Sequence, residues 1–121
     1  MKAEVFEKIW LEQVATEKAM LLERADAYAT NGDRLGNFKE GSQLAGNSSM
    51  QYGFGLVVKH IIALRDLIGK EAKGEAKFDA KELEKFTEYV TDIRNYAVLL
   101  KSLYVERAES QTKVVTTTPT K

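Results

Sequence analysis

The sequence predicts an all-α protein: a bundle of three main helices and one short loop helix, completed by self-association. The body of the chain lacks proline, since the single Pro119 lies in the terminal segment TKVVTTTPTK. Apolar residues recur at the 3.6-residue period of a helix, and few stretches alternate like a strand. The 121 residues suit one domain. We therefore expect a single helical domain over residues 1–110 and a disordered tail over 111–121.

Composition narrows the classes of partner. The 18 basic and 18 acidic residues cancel, so no broad basic surface is available to hold nucleic acid by counterion release. The N-terminus lacks the apolar core of a signal peptide, and no apolar stretch is long enough for a membrane span. The absence of cysteine excludes a disulfide framework and a thiolate metal site. We expect a cytoplasmic protein without a membrane partner and without general nucleic-acid binding.

The first helix is predicted over residues 3–29. Gln13, Glu17 and Arg24 interrupt its apolar side. A lone carboxylate there is costly unless it is paired or bound to metal. Glu17 is therefore either an ion-pair partner of Arg24 or Lys59, or a ligand of a metal or nucleotide. The apolar stripe itself consists of Phe6, Ile9, Trp10, Val14, Met20, Leu21 and Tyr28.

A glycine-rich segment, TNGDRLGNFKEGSQLAGNSS, follows the first helix. It predicts a loop region with a short helix over 35–44, for which Asp33 is the N-cap. Two interpretations of Asn37 and Phe38 are open. In the first, the Asn37 amide bonds to the edge of a base and the Phe38 ring stacks on it. In the second, Phe38 anchors the loop on the core.

Ser48 and Gln51 form a capping box that predicts the start of a second long helix, over 49–68. Gly69 is predicted to end it. The helix is apolar on nearly every side, so one copy offers too few partners to cover it, and we expect a dimer or larger assembly.

The same apolar helix carries two polar candidates, Lys59 and His60. Lys59 needs a counter-charge or a ligand phosphate. His60 is either a hydrogen-bonded core histidine or a ligand.

The third long helix is predicted from its N-cap Asp79 to about residue 109. Roughly opposite its apolar stripe, Glu88, Asp92 and Asn95 form a polar row at i, i+4 and i+7. The row either faces water or lines a covered cleft, and Leu99 and Leu103, which continue it, favour the cleft. The main apolar stripe, which we expect to face the core, comprises Phe86, Tyr89, Val90, Ile93, Ala97, Leu100 and Tyr104.

Three segments together resemble the nucleotide modification-associated domain 1 family, small all-α proteins of bacteriophages and prophages. They are RADAYATNGDRLGNFKEGSQLAG, GLVVKHIIAL and EYVTDIRNYAVLL, within residues from about 24 to 100. The family is similar to the MazG and dimeric dUTPase group of nucleoside triphosphate pyrophosphatases. The resemblance implies a helical fold that often self-associates and a nucleotide as partner. It implies nucleotide contacts from Tyr28, Asp33, Asn37, Phe38, Lys59, His60, Asn95 and Tyr96.

The pyrophosphatase group holds magnesium with two acidic pairs, E-x-x-E and E-x-x-D, on facing helices. In this chain Glu88 and Asp92 match one pair, at a spacing of four, and the second long helix carries no acidic pair. The resemblance thus implies Mg²⁺ ligands at Glu88 and Asp92, and Glu17 is a further candidate.

We therefore expect a phage-type nucleotide-binding protein without turnover. It would sequester a nucleotide or cyclic nucleotide signal in the host cytoplasm as an anti-defence sponge, or support nucleotide modification. The first alternative is a magnesium-dependent, MazG-like nucleoside triphosphate pyrophosphatase. The second is a structural or interaction bundle.

Overall fold

A computed structural model of the chain describes residues 1–25 and 32–116, with the backbone alone for residues 113–116. These residues form no strand, so the predicted all-α class is confirmed. No helix within these ranges combines the length and the apolar content that a membrane span requires. The helices are α1 (Ala3–Glu23), α2 (Gly36–Ala45), α3 (Ser49–Ala72) and α4 (Ala80–Thr116).

α3 begins and ends at two local hydrogen-bond motifs. The predicted capping box is confirmed: Gln51 N–H donates to Ser48 Oγ, and Ser48 N–H donates to the Gln51 side chain. The predicted end at Gly69 is wrong, because the helix continues to Ala72. The left-handed residue that terminates it is Gly74, with φ of 72°, where the last carbonyls accept hydrogen bonds from the residues that follow.

α4 packs antiparallel against α3, and Asp79 is its N-cap as predicted. Asp79 Oδ1 accepts a hydrogen bond of 2.8 Å from Glu82 N–H. The Glu82 carboxylate accepts in return from the N–H groups of Lys77 and Phe78. The helix runs on to Thr116, beyond the predicted end near 109 and into the stretch where the sequence predicts a tail. Residues 117–121 lie outside the described part of the chain.

The buried face of α4 is not the predicted apolar stripe. Phe86, Ala97 and Tyr104 of that stripe are exposed, and its other members are only half-buried. The expectation that this stripe faces the core is therefore wrong. The buried residues are instead Asp92 and Asn95 of the polar row, the adjacent Thr91, and the apolar continuation of the row, Leu99 and Leu103. Glu88, the first member of the row, is exposed.

α2 covers the C-terminal half of this buried face. Leu35 and Phe38 pack with Leu99 and Leu103 in one apolar cluster. The helix starts at Gly36, one residue after the predicted start. Asp33 lies too far upstream to be its N-cap and instead accepts a 2.9 Å hydrogen bond from Leu35 N–H.

α1 lies along α4 in the same direction. Gln13 bonds to Thr91, and the Asn95 side chain bonds to the backbone of Glu17. Both pairs are 78 positions apart, so the two helices run parallel at this contact. α1 ends at Glu23, and residues 26–29 of its predicted range lie outside the described residues.

Gly53 marks a close approach of α3 to α4 and α2. A Cβ at this position would lie 2.9 Å from Leu100 Cδ2 and 3.4 Å from Phe38 Cδ1. We expect Gly53→Ala to lower the free energy of unfolding by about 1–3 kcal/mol through overpacking. Gly69→Ala is the matched control on the same helix, since a Cβ there meets no described atom within 4 Å. It should raise the free energy of unfolding by about 0.5–1 kcal/mol. Urea unfolding measures both, and equal effects would contradict the packing.

Lys39 of α2 forms ion pairs with Asp33, which precedes α2, and with Glu106 of α4. Its Nζ lies 2.5 Å from Asp33 Oδ2 and 2.7 Å from Glu106 Oε1. The hydrogen bond from Lys39, and then that from Leu35 N–H, lower the pKa of Asp33 below 3.8. The hydrogen bonds to Asp33 and Glu106 raise the pKa of Lys39 above 10.5. The contribution of Asp33 to stability is therefore complete above its unfolded pKa and is lost as pH falls through its folded pKa. That of Lys39 is complete below 10.5 and is lost as pH rises through its folded pKa.

We expect Lys39→Met to lower the free energy of unfolding at neutral pH by less than about 1 kcal/mol, because the ion pairs are partly exposed. The difference from the wild type should shrink as pH falls through and below 3.8. Urea unfolding of both proteins at a series of pH values checks this. A difference that stays constant over the series would show that Lys39 acts through packing alone.

Candidate functional site

Asp92 stands at the centre of a buried polar cluster that joins three helices. Its side chain is only 8% exposed and lies between two basic groups. Arg24 Nη1, at the end of α1, is 3.2 Å from Asp92 Oδ1, and His60 Nδ1 of α3 is 3.4 Å from Asp92 Oδ2. One carboxylate on α4 therefore ties α1 to α3, two helices that make no close contact of their own in the described part of the chain.

Two aromatic contacts extend this cluster toward α2. The imidazole of His60 stacks on Tyr96, with ring centroids 5.3 Å apart and planes inclined by 26°. Phe38 meets the edge of Tyr96 at 6.2 Å. Because Phe38 is only 1% exposed, its ring anchors the loop on the core, which is one of its two predicted roles.

The Glu17 carboxylate is paired with Arg94. Arg94 Nε lies 2.6 Å from Glu17 Oε2, although Oε2 accepts no well-directed hydrogen bond from any described residue. This contact is therefore an ion pair held by charge and proximity. The predicted pairing partners, Arg24 and Lys59, do not pair with Glu17: Arg24 contacts Asp92, and Lys59 is exposed.

The predicted site residues divide into two groups. The fold brings together Phe38, His60, Asp92 and Tyr96, and beside them the Asn95 amide holds the backbone of α1. The remaining predicted residues lie elsewhere. Asn37, Lys59 and Glu88 are exposed, Asp33 pairs with Lys39, and Tyr28 lies outside the described residues.

The three predicted magnesium ligands do not form a metal site within one copy. Asp92 and Glu17 are each held by a guanidinium group, and Glu88 is exposed. In residues 1–25 and 32–116, no cluster of three or more acidic or histidine side chains is placed to hold a metal ion. This donor set does not fit Mg²⁺, because a basic side chain already neutralises each buried carboxylate.

Arg24 pairs with Asp92 and Arg94 pairs with Glu17, and neither arginine was predicted as a site residue. The interruption of the α1 stripe by Gln13, Glu17 and Arg24 was the signal for Arg24. Three polar side chains within an apolar stripe indicate a polar surface opposite them, and the polar row of α4 is that surface. Nothing in the sequence around Arg94 distinguishes it from a solvated arginine.

The central position of Asp92 leads to a stability prediction. We expect Asp92→Asn to lower the free energy of unfolding by about 1–3 kcal/mol, because Arg24 and His60 lose the charge between them. Glu88→Gln, one turn earlier on α4 at an exposed residue, is the matched control and should change it by less than about 0.5 kcal/mol. Urea unfolding at neutral pH measures both. Similar effects from the two substitutions would show that Asp92 is not the link between the helices.

Comparisons with known proteins assign no function to this cluster. No family model, no curated protein and no solved structure matches the chain. The resemblance to the nucleotide modification-associated domain 1 family therefore stays a prediction from three sequence segments. What the protein does has to be inferred from the residues around Asp92.

Proposed function

We propose that this chain is a nucleotide-binding protein that does not hydrolyse its ligand, and that Arg24, His60 and Tyr96 form the contact surface. The observation that carries the proposal is the arrangement around Asp92. One buried carboxylate holds a guanidinium and an imidazole side by side, and an aromatic ring supports the imidazole.

The basic part of this surface suits a phosphate. Asp92 holds the guanidinium of Arg24 at one carboxylate oxygen and the imidazole of His60 at the other, and 44% of the Arg24 side chain is exposed. A planar guanidinium recognises phosphate through paired hydrogen bonds, and a fixed guanidinium loses less entropy on binding than a mobile one. The site is local, which agrees with a chain that has no net positive charge.

The aromatic part of the surface suits a base. His60 stacks on Tyr96, and 28% of its side chain is exposed. A supported ring of this kind offers a stacking platform, which tolerates different bases. The same arrangement accommodates linear and cyclic nucleotides, so the proposal covers both.

The absence of turnover is part of the proposal. Metal-dependent phosphate chemistry needs carboxylates that are available to the metal. Here Asp92 and Glu17 would each have to release the arginine side chain that they pair with before they could bind a metal ion. A ligand that is held and returned intact suits sequestration of a nucleotide signal in a host cytoplasm, as the family resemblance implies.

We also infer that the protein works as a homo-oligomer. Phe54, Ile61 and Ile68 of α3 are about half-exposed in one copy, on the helix that the sequence predicts to need further partners. A contiguous exposed patch of large apolar side chains indicates a surface for protein–protein contact.

Binding and its site are tested by calorimetric titration with nucleoside mono-, di- and triphosphates and cyclic nucleotides, with and without Mg²⁺. We expect Arg24→Lys, which keeps the charge but loses the planar fork, to weaken binding about tenfold. His60→Gln, which loses the stacked ring, should act similarly. Arg94→Lys is the matched control, because this arginine also pairs with a mostly buried carboxylate but lies outside the proposed contact surface.

The outcomes separate the three candidate functions. Binding that falls in Arg24→Lys but not in Arg94→Lys, with intact nucleotide recovered after heat denaturation and identified by mass spectrometry, supports the proposal. Release of pyrophosphate in the Mg²⁺ arm at about 1 per second or faster would replace it with the pyrophosphatase. No binding of any nucleotide would leave the structural bundle.

A further inference from the structure

α3 carries two apolar stripes, and only one of them is packed within the copy. Gly53, Val57 and Leu67 are buried on one side. On another side, Phe54, Ile61 and Ile68 follow one another at intervals of seven residues and are 57%, 45% and 53% exposed. A seven-residue repeat of large apolar side chains is typical of a seam between packed helices. The described residues of the same copy leave about half of each side chain of this second seam uncovered.

α4 continues this uncovered surface. At about 100° per residue, Phe86 and Tyr104 lie roughly opposite the buried row that contains Asp92 and Leu99. Ile68 of α3 shares a groove of about 390 Å³ with Leu83 and Phe86, so the uncovered parts of the two helices adjoin. We name the surface formed by Phe54, Ile61, Ile68, Leu83, Phe86 and Tyr104 the open face.

The open face is large enough for a stable interface. Its six side chains are 39–66% exposed, and at about 150–250 Å² for a large apolar side chain they leave roughly 600 Å² uncovered. This equals the upper limit of the largest apolar patch on a typical monomer, about 300–600 Å². Two such faces would together bury roughly 1,200 Å², which is the lower end of the range for specific, stable interfaces.

The arrangement of the open face is self-complementary. Ile61 lies seven residues, or about 10 Å of helix, from both Phe54 and Ile68. The end near Ile68 is a groove, and at the other end Phe54 and Tyr104 project with 57% and 66% of their surface exposed. A two-fold axis at Ile61 places the projecting aromatic side chains of each copy over the groove of the other. The chain has no net charge, so two copies carry no overall charge repulsion.

We propose that a second copy of this chain covers the open face, with the two α3 helices crossing at a two-fold axis near Ile61. The proposal names the surface and symmetry of the inferred homo-oligomer, and it does not depend on nucleotide binding. Its test therefore measures mass and accessibility and uses no nucleotide.

The first experiment measures mass by light scattering after size-exclusion chromatography at micromolar concentration. We expect the wild type at twice the chain mass of 13.6 kDa or a higher even multiple. Ile61→Glu should fall to a lower multiple, because it places a charge at the axis. Leu44→Glu is the matched control, since Leu44 on α2 is 92% exposed and lies outside the open face. A wild type at the mass of one chain, or an unchanged mass of Ile61→Glu, would overturn the proposal.

The second experiment needs no disruption of the interface. Because the chain has no cysteine, Ile61→Cys introduces a single small apolar reporter, and Leu44→Cys provides the same reporter on α2. We expect the thiol introduced by Ile61→Cys to react with a bulky water-soluble maleimide about tenfold more slowly than the thiol introduced by Leu44→Cys, since access limits thiol reactivity. Mild oxidation should also link two copies through this thiol. Equal labelling rates for the two thiols, together with the absence of cross-linked dimers, would overturn the proposed axis. This outcome is decisive even if Ile61→Glu fails to fold.

Discussion

The carboxylate of Asp92 is the contact on which the arrangement of the helices depends. The helical hairpin of α3 and α4 has its own packing, and α2 rests on it through the apolar cluster around Phe38. Among the described residues, α1 contributes only the half-buried Leu21 to this cluster. Its other described contacts to α4 are polar, and the Asp92 carboxylate that pairs with Arg24 also contacts His60 of α3. A buried acidic group with two basic partners is a stringent constraint, because losing either partner leaves a charge with inadequate compensation.

The same constraint explains why the candidate site is compact. Asp92 orients two chemically different groups: a charged guanidinium, and an imidazole that stacks on Tyr96. Neither side chain would hold its position on a solvated helix surface, where long side chains sample many rotamers. The proposed nucleotide contact and the stability of the fold therefore depend on the same carboxylate. We expect a substitution of Asp92 to change both, whereas the neighbouring Glu88 is exposed and is the control for both.

The sequence predicted the helices well and their orientation poorly. Capping chemistry is local, so Ser48, Gln51 and Asp79 indicated helix starts that the structure confirms. Gly69 misled because a glycine ends a helix only where the backbone turns left-handed, and Gly74 makes that turn. The face of α4 could not be assigned from its own period. The apolar stripe of α4 predicted which side of the helix faces inward. The side that is buried instead holds Asp92, whose partners lie on two helices distant in sequence, and the apolar period of α4 alone carries no information about them.

α1 is attached to its own copy by few and mostly polar contacts, and this has a consequence for the order in which the protein opens. No residue of α1 is fully buried, and Phe6, Ile9 and Trp10 remain about half-exposed. A helix of this kind forms a cooperative unit of low local stability, separate from the hairpin. Its amide hydrogens should exchange with solvent well before those of α3 and α4. Among the described helices, proteases should cleave α1 first, while the hairpin and α2 stay folded.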